Sequence, residues 1–296
     1  MVMDERAAEE KESRRLLRRV QEHLFQAHIN LGAVRETVGM VDVLYHPNNP
    51  TATLNYVTPR RNTAWVSGTM VQPGLERLRQ LGRAPRVQYI EGLFPPLFAK
   101  ALRDLKLEIE RETPLMIYKA DGINGRMPPP LATPIMPDGV AMELVNDQRG
   151  IELWWYVWRN AFYDVLTLGV EPLFVGRDLA ALKLGLQADI LVYRYGFPVG
   201  VARLSIQGDT AHILATALLR EVRTPPMMRA LLLTALKTAA DRQSKLVFAP
   251  GETDDDRRLC RELGFVDFGS IVCYTADKPG EETDEPTLEQ PLLSLR

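Results

Sequence analysis

Between Pro198 and Tyr274 the chain places an apolar strand just ahead of a proline-capped helix, and this junction restricts the fold more than any other stretch. Ala211 to Leu219 runs through Ala, His, Ile, Leu and Thr nearly without a polar break, the pattern of a buried strand. After a short break Thr224 stands as N-cap and Pro225 as the first helical residue. Met227, Met228, Leu231, Leu232, Ala235 and Leu236 then recur at helical spacing. A strand that feeds a tight turn into a helix N-terminus makes an anion site, because unpaired N–H groups and the helix dipole point the same way. The C-terminal half is therefore expected to hold a phosphorylated ligand.

The residues around this junction carry a family resemblance. "FPVGVARLSIQGDTAHILATALLREVRTPPMMRALL" followed by "KLVFAPGETDDDRRLCRELGFVDFGSIVCYTA" resembles the GNAT superfamily of acyl-CoA-dependent N-acyltransferases. That family runs as a hairpin, a strand, a pyrophosphate loop of the form R/Q-x-x-G-x-G/A, a helix, a strand, a second helix ending in "LGF", and a last strand. Arg223 takes the loop's first position, and Leu263, Gly264 and Phe265 form the "LGF". Two departures stand out: Pro226 and Met228 replace the loop's glycines, and Cys260 replaces the usual tyrosine three residues before Leu263.

At 296 residues the chain suffices for two domains of ordinary size. A net charge of −2 gives no general electrostatic case for nucleic acid or an anionic membrane. The arginines of "SRRLLRR" at Ser13 to Arg19 follow the acidic "DERAAEEKE", so local charge nearly cancels there. Two cysteines suggest no disulfide framework and point to a reducing cytoplasm. The charged opening residues do not read as a signal peptide, and no apolar run of about 18 residues predicts a membrane span.

In the N-terminal part, Leu16, Leu17, Val20, Leu24, Ala27, Leu31 and Val34 mark one face of a helix expected from Ser13 to Val38. His23 and His28 lie on its polar face without further ligands nearby in sequence, so no metal site is expected. "MVDVLYHP", "TATLNYVTP" and "TAWVSGTMV" read as strands, Gly74 to Leu81 as a helix, "RVQYIEGL" as a strand, Pro95 to Leu105 as a helix and "PLMIYKA" as a strand. The run from "VQYIEGL" to Asp121 can be laid over "LVFAPGETDDDRRLCRELGFVDFGSIVCYTAD", with Leu105 over Leu263 and Tyr118 over Tyr274 after a two-residue shift. This internal match suggests a doubling.

The reading is thus an α/β (α+β) chain of two tandem GNAT-like modules, with mixed central sheets flanked by helices. Residues 1–123 form an N-terminal module without a recognisable phosphate loop, expected to complete the sheet of the second module or to cover its acceptor cleft. The proline-rich 124–139 is a linker, 140–278 the C-terminal module beginning with strand "VAMELV", and 279–296 a flexible tail. A helix from Ile151 to Leu168 starts with Trp154, Trp155, Tyr156 and Trp158, which either line the acceptor side or seal the interface between the modules.

The resemblance implies acetyl-CoA as cosubstrate, with Ala217, Leu218 and Leu219 holding the pantetheine arm and Arg223, Thr224, Met227, Met228 and Arg229 holding the phosphates. It points to His212 as a base acting through water and to Cys260 as the proton donor to the leaving thiolate. Counted by strict alternation, His212, Leu214 and Thr216 share one face of the strand. Because Pro225 and Pro226 have no N–H to give, a second class stays open beside the N-acyltransferase: a non-catalytic binding or scaffolding module of the same fold. The acceptor is an amine of a small molecule or a protein, with no nucleic acid, membrane or metal. The oligomeric state stays open.

Overall fold

The fold is taken from a computed structural model, which describes residues 2–60, 67–163 and 169–276. The first half runs α1 (Val2–Asn30), β1 (Val34–Val38), β2 (Val41–Tyr45), a 3-10 turn (Ala52–Leu54), β3 (Tyr56–Pro59), α2 (Gly68–Gln80), β4 (Arg86–Ile90), α3 (Leu97–Asp104) and β5 (Glu108–Lys119). The second runs β6 (Val140–Leu144), α4 (Gln148–Tyr163), α5 (Pro172–Lys183), β7 (Gln187–Arg194), β8 (Phe197–Gln207), β9 (Thr210–Leu218), a 3-10 turn (Arg220–Val222), α6 (Pro225–Asp241), β10 (Leu246–Pro250), α7 (Asp254–Glu262) and β11 (Val266–Thr275).

Several local expectations shift. The first helix ends at Asn30 and not at Val38, because Gly32 takes a left-handed φ of +98° and Val34–Val38 finds hydrogen-bonding partners in β2 across a turn at Gly39. Of the strand expected at "TAWVSGTMV", residues 63–66 lie outside the described residues and Gly68 onward is already α2. Pro73 inside α2 removes one ladder bond, yet Val71, fully buried in the core, keeps the preceding turn helical. "TATLNYVTP" divides into the 3-10 turn and β3. The helix expected to reach Leu168 is described to Tyr163, and the expected tail at 279–296 lies outside the described residues.

Among the described residues the strands form one continuous sheet in the order β1-β2-β3-β4-β11-β5-β10-β9-β8-β7-β6. The two halves repeat the same path. An antiparallel meander leads through a helix to a parallel neighbour (β3–α2–β4 and β9–α6–β10), and a second helix leads to a last strand (α3–β5 and α7–β11). The last strands are exchanged: β5 pairs with β10 of the other half, and β11 pairs with β4. They also pair with each other along most of their length. Residues 1–123 thus complete the sheet of the second half and receive β11 in return.

The matched leucines end α3 and α7 in the same way. Leu105 and Leu263 are the C-caps, and Lys106 and Gly264 follow in left-handed conformation at φ 60° and 93°. Leu107 N–H then bonds Leu102 O at 3.1 Å, and Phe265 N–H bonds Cys260 O at 3.0 Å. Both are Schellman ends in which a buried residue after the turn packs back on the helix.

Side-chain alternation separates two faces. Val247 and Ala249 of β10 join α6 and Cys260 of α7 in one core, while Leu246 and Phe248 join Leu16, Leu17, Val20 and Leu24 of α1 in another. Helices α2 and α3 cover the first half on the α6 face. The tryptophans of α4 pack on Leu191, Val201, Ala215 and Ala217 and against Val175 of α5, all within the second half. They are core, so the expected sealing of the interface between the modules is corrected.

The same core buries three charges. Arg203, 1% exposed, donates two bonds to Asp189 at 2.8 and 2.6 Å, approaches Asp178 at 2.8 Å, and lies 3.9 Å over the Trp154 ring. Trp155 Nε1 donates to Asp178 at 2.9 Å. Removing the guanidinium strands two carboxylates in an apolar core, so Arg203→Met is expected to lower unfolding stability by about 3 to 5 kcal/mol, read from urea midpoints. The strand exchange predicts a second outcome. Residues 1–123 expressed alone lack the partner for β4 and show no cooperative unfolding transition by circular dichroism, and mixing with the complementary fragment restores it.

Candidate functional site

Strands β9 and β10 pair only through Thr210 with Leu246, Ala211 with Val247 and His212 with Phe248. Beyond that point β9 continues to Leu218, while β10 turns toward β5, with Gly251 N–H on Pro114 O at 2.9 Å. Among the described residues the edge of β9 from Ile213 onward therefore has no strand beside it on the β10 side, which leaves room for a ligand laid along it.

A bulge shapes this opening. Arg203 of β8 faces Ala215 but Leu204 faces Ile213, so Leu214 is extra. The extra residue exchanges the faces of β9. His212 points toward α1, as do Ala215 and Ala217 toward α4, whereas Thr216 is turned to the other side. The shared face expected for His212, Leu214 and Thr216 is thereby corrected at Thr216, while His212 and Leu214 still line one pocket: strict alternation does not survive an inserted residue.

The expected phosphate site is thinly furnished. Arg223 N–H bonds Arg220 O, Thr224 N–H bonds Val222 O at 2.9 Å, and Met228 N–H bonds Thr224 O at 3.0 Å. Pro225 and Pro226 have no N–H, so Met227 alone keeps an amide without a bond to the described residues. Arg223 donates to Leu218 O at 3.1 Å and to Ala161 O at 3.2 Å, and Arg229 pairs with Glu262 at 3.0 Å on the surface. Leu219 N–H is bound to Val199 O at 2.9 Å, and Ala217 and Leu218 pair with Val201 and Gly200 of β8. Cys260, 2% exposed, lies in the core beneath α6, where burial pushes its thiol up to about 12.

On the α1 face a pocket of about 650 Å³, counted with its open mouth, reaches the point where β9 and β10 part. Both halves line it: Leu24 and His28 of α1, Thr53, Gln88 and Arg111 come from the first, and His212, Leu214, Phe248 and Glu252 from the second. Here His212 stacks on Phe248 at 4.2 Å and meets the His23 ring edge-on at 6.1 Å. His212 keeps some accessible surface through the pocket, but apolar neighbours desolvate it on every side. That burial, with His23 and His28 adding to it, holds its ring well below the ordinary histidine range and hence neutral. Burial also lowers His23 to about 3 and His28 to about 4, the latter ring meeting the Tyr56 hydroxyl at 3.0 Å.

Glu252 moves the opposite way. Burial first, and the nearby Asp256 second, push its carboxyl up to about 7 against the opposing pull of Arg111. Neither Glu252, Arg111 nor Thr53 is singled out by any local pattern, since they meet only through the strand exchange. An acidic residue directly after "FAPG" at the end of a buried strand was the one signal available.

Among the described residues no group of three or more His, Cys, Asp or Glu is placed to hold a metal ion, and no helix is long and apolar enough to cross a membrane. No family model and no curated protein sequence matches the chain. Solved structures do. A GCN5-related N-acetyltransferase from Kribbella flavida superposes with a TM-score of 0.66 at 16% identity over 88% of this chain and 95% of its own. Another from Sphaerobacter thermophilus gives 0.54 at 17% over 81% of each chain. A tandem GNAT protein from the clavulanic acid biosynthesis pathway gives 0.56 at 15% over 80% of this chain and 78% of its own. With its parted parallel strands, its bulged β9 and its repeated path, this chain has the fold of the GNAT superfamily in tandem form.

Proposed function

We propose that the chain is an N-acyltransferase that moves an acyl group from an acetyl-CoA-type thioester to a primary amine held in the central pocket. The observation that carries the reading is the meeting of two features at one point. The open edge of β9 ends where the pocket begins, and the pocket holds a carboxyl poised near neutral pH. The open edge fits an acylated pantetheine arm, which binds by strand-like hydrogen bonds. The helix N-terminus fits the diphosphate poorly, with one amide to offer.

In this reading Glu252 takes the proton from the acceptor ammonium, since a base with pKa near the working pH combines availability with driving force. The freed amine attacks the thioester carbonyl, whose oxygen gathers charge against backbone N–H groups along β9. The C–S bond then breaks, the nitrogen passes its surplus proton through solvent to the departing thiolate, and Glu252 returns the first proton to solvent. His212, neutral and stacked, shapes the wall of the pocket and replaces no proton. Cys260 stands away from the pocket, and a thiol near 12 is a poor donor to a thiolate. With both cysteines free and buried, a reducing cytoplasm is the setting we favour.

The depleted phosphate loop supports a second reading, a binding module that keeps the fold without turnover. Calorimetry separates the two. Each absent amide contact to a charged oxygen weakens binding by about 1.5 to 3 kcal/mol, so acetyl-CoA is expected to bind with a dissociation constant between tens of micromolar and a few millimolar. No heat at millimolar concentration removes the donor assignment and leaves the binding module.

Glu252 supplies a pH test. If it is the base, kcat/KM rises with pH through an apparent pKa near 7, and Glu252→Gln lowers kcat by about 100-fold and abolishes that limb. The same carboxyl leaves a mark on stability. Its folded pKa, about 7, lies above the ordinary 4.5, so the folded state holds the proton more tightly and loses stability as pH rises from 4.5 through 7. Glu252→Gln is therefore expected to raise the melting temperature at pH 8 and leave it nearly unchanged at pH 5. A variant with unaltered rate and unaltered stability profile removes Glu252 from the site.

A further inference from the structure

We infer that the acceptor is an amine that also carries a carboxylate, a compound of the amino-acid class; the inference rests on the acyl-transfer reading of the same pocket. Thr53 carries it furthest. It lines the pocket at 4% exposure, and its hydroxyl has no hydrogen-bond partner among the described residues. Buried hydroxyls are nearly always satisfied, so an unsatisfied one in a pocket wall marks where a polar group of a ligand belongs.

The residues beside Thr53 select the kind of polar group. Gln88 and Arg111, also from the first half, line the same pocket. An arginine has five N–H donors in a planar fork, enough to serve a protein partner and a ligand together, and the fork matches a carboxylate in two places at once. A hydroxyl, a carboxamide and a guanidinium in one wall can all donate to an anion.

From the second half comes the opposite chemistry. Glu252 is the one carboxyl among the residues lining the pocket, and when ionised it only accepts hydrogen bonds, so it suits an ammonium. Leu214 supplies an apolar wall for the carbon skeleton. An amino acid satisfies both ends together. A plain alkylamine meets Glu252 and leaves the buried Thr53 hydroxyl unmatched, a mismatch that polar sites discriminate strongly.

The test is equilibrium binding to the full chain by calorimetry, with L-amino acids and, in each case, the amine left when the carboxylate is removed. The expected result is that at least one amino acid binds tenfold or more tightly than its decarboxylated counterpart. Thr53→Val, nearly isosteric and removing a hydroxyl that bonds to none of the described residues, should erase most of that preference while leaving the melting temperature unchanged or higher. Arg111→Gln should do the same; should it fail to fold, Thr53→Val alone decides. Equal binding of both compounds, binding of neither, or a preference that survives Thr53→Val overturns the inference. A separate acetyl-CoA titration of the same preparation shows whether the donor assignment stands or falls independently.

Discussion

Each half of the sheet is closed by a strand that the other half supplies, and the rest of the molecule follows from this exchange. Strands β5 and β11 each lie between two strands of the other half, so neither half has a finished core alone. Hydrogen-bonding groups on β4 and β10 that would otherwise form open edges are satisfied across the seam. Helix α1 lies over that seam, and its leucines pack on strands of both halves at once. The seam thus joins the two halves and also forms the floor of the pocket.

Burial at the seam also sets the chemistry available there. His23 and His212 face each other and Phe248, and His28 meets Tyr56, in a space too apolar to support their cations, so all three stay neutral. The same desolvation that disarms the histidines raises Glu252 toward neutrality, turning an ordinary surface-type acid into a group able to exchange protons. Elsewhere the fold buries charge by pairing it. Arg203 between Asp178 and Asp189 shows the contrasting solution, in which all three groups are fixed by short bonds and tryptophan rings.

Much of the path was legible in the residues. The proline-started α6, the strand before it and the "LGF" end of α7 each carry their own local cause: a missing N–H that a first turn tolerates, an unbroken apolar run, a glycine that takes a left-handed conformation. The counterpart at Leu105 to Leu107 was recognisable by the same spacing although Lys106 stands where glycine would be cheaper by about 1 kcal/mol. Where periodicity misled, a partner strand was responsible. Val34 fits a helical face, but β2 offers its segment a ladder, and the pairing outweighs a weak propensity. Helix α5 left no clear mark, since its outer face carries the exposed Leu173 beside the buried Val175 and blurs the apolar stripe.

Sequence alone therefore determined the doubling and the strand and helix pair at Ala211 to Ala240, because each rests on short-range sterics and on spacing within one segment. Tertiary structure decided which strands are neighbours, that Leu214 forms a bulge and turns Thr216 away from His212, and that Glu252, Thr53 and Arg111 share a pocket. It also decided that Arg223 and Arg229 are engaged within the protein. These are matters of long-range pairing and of desolvation, and both depend on what the rest of the chain brings alongside a residue rather than on the residues next to it.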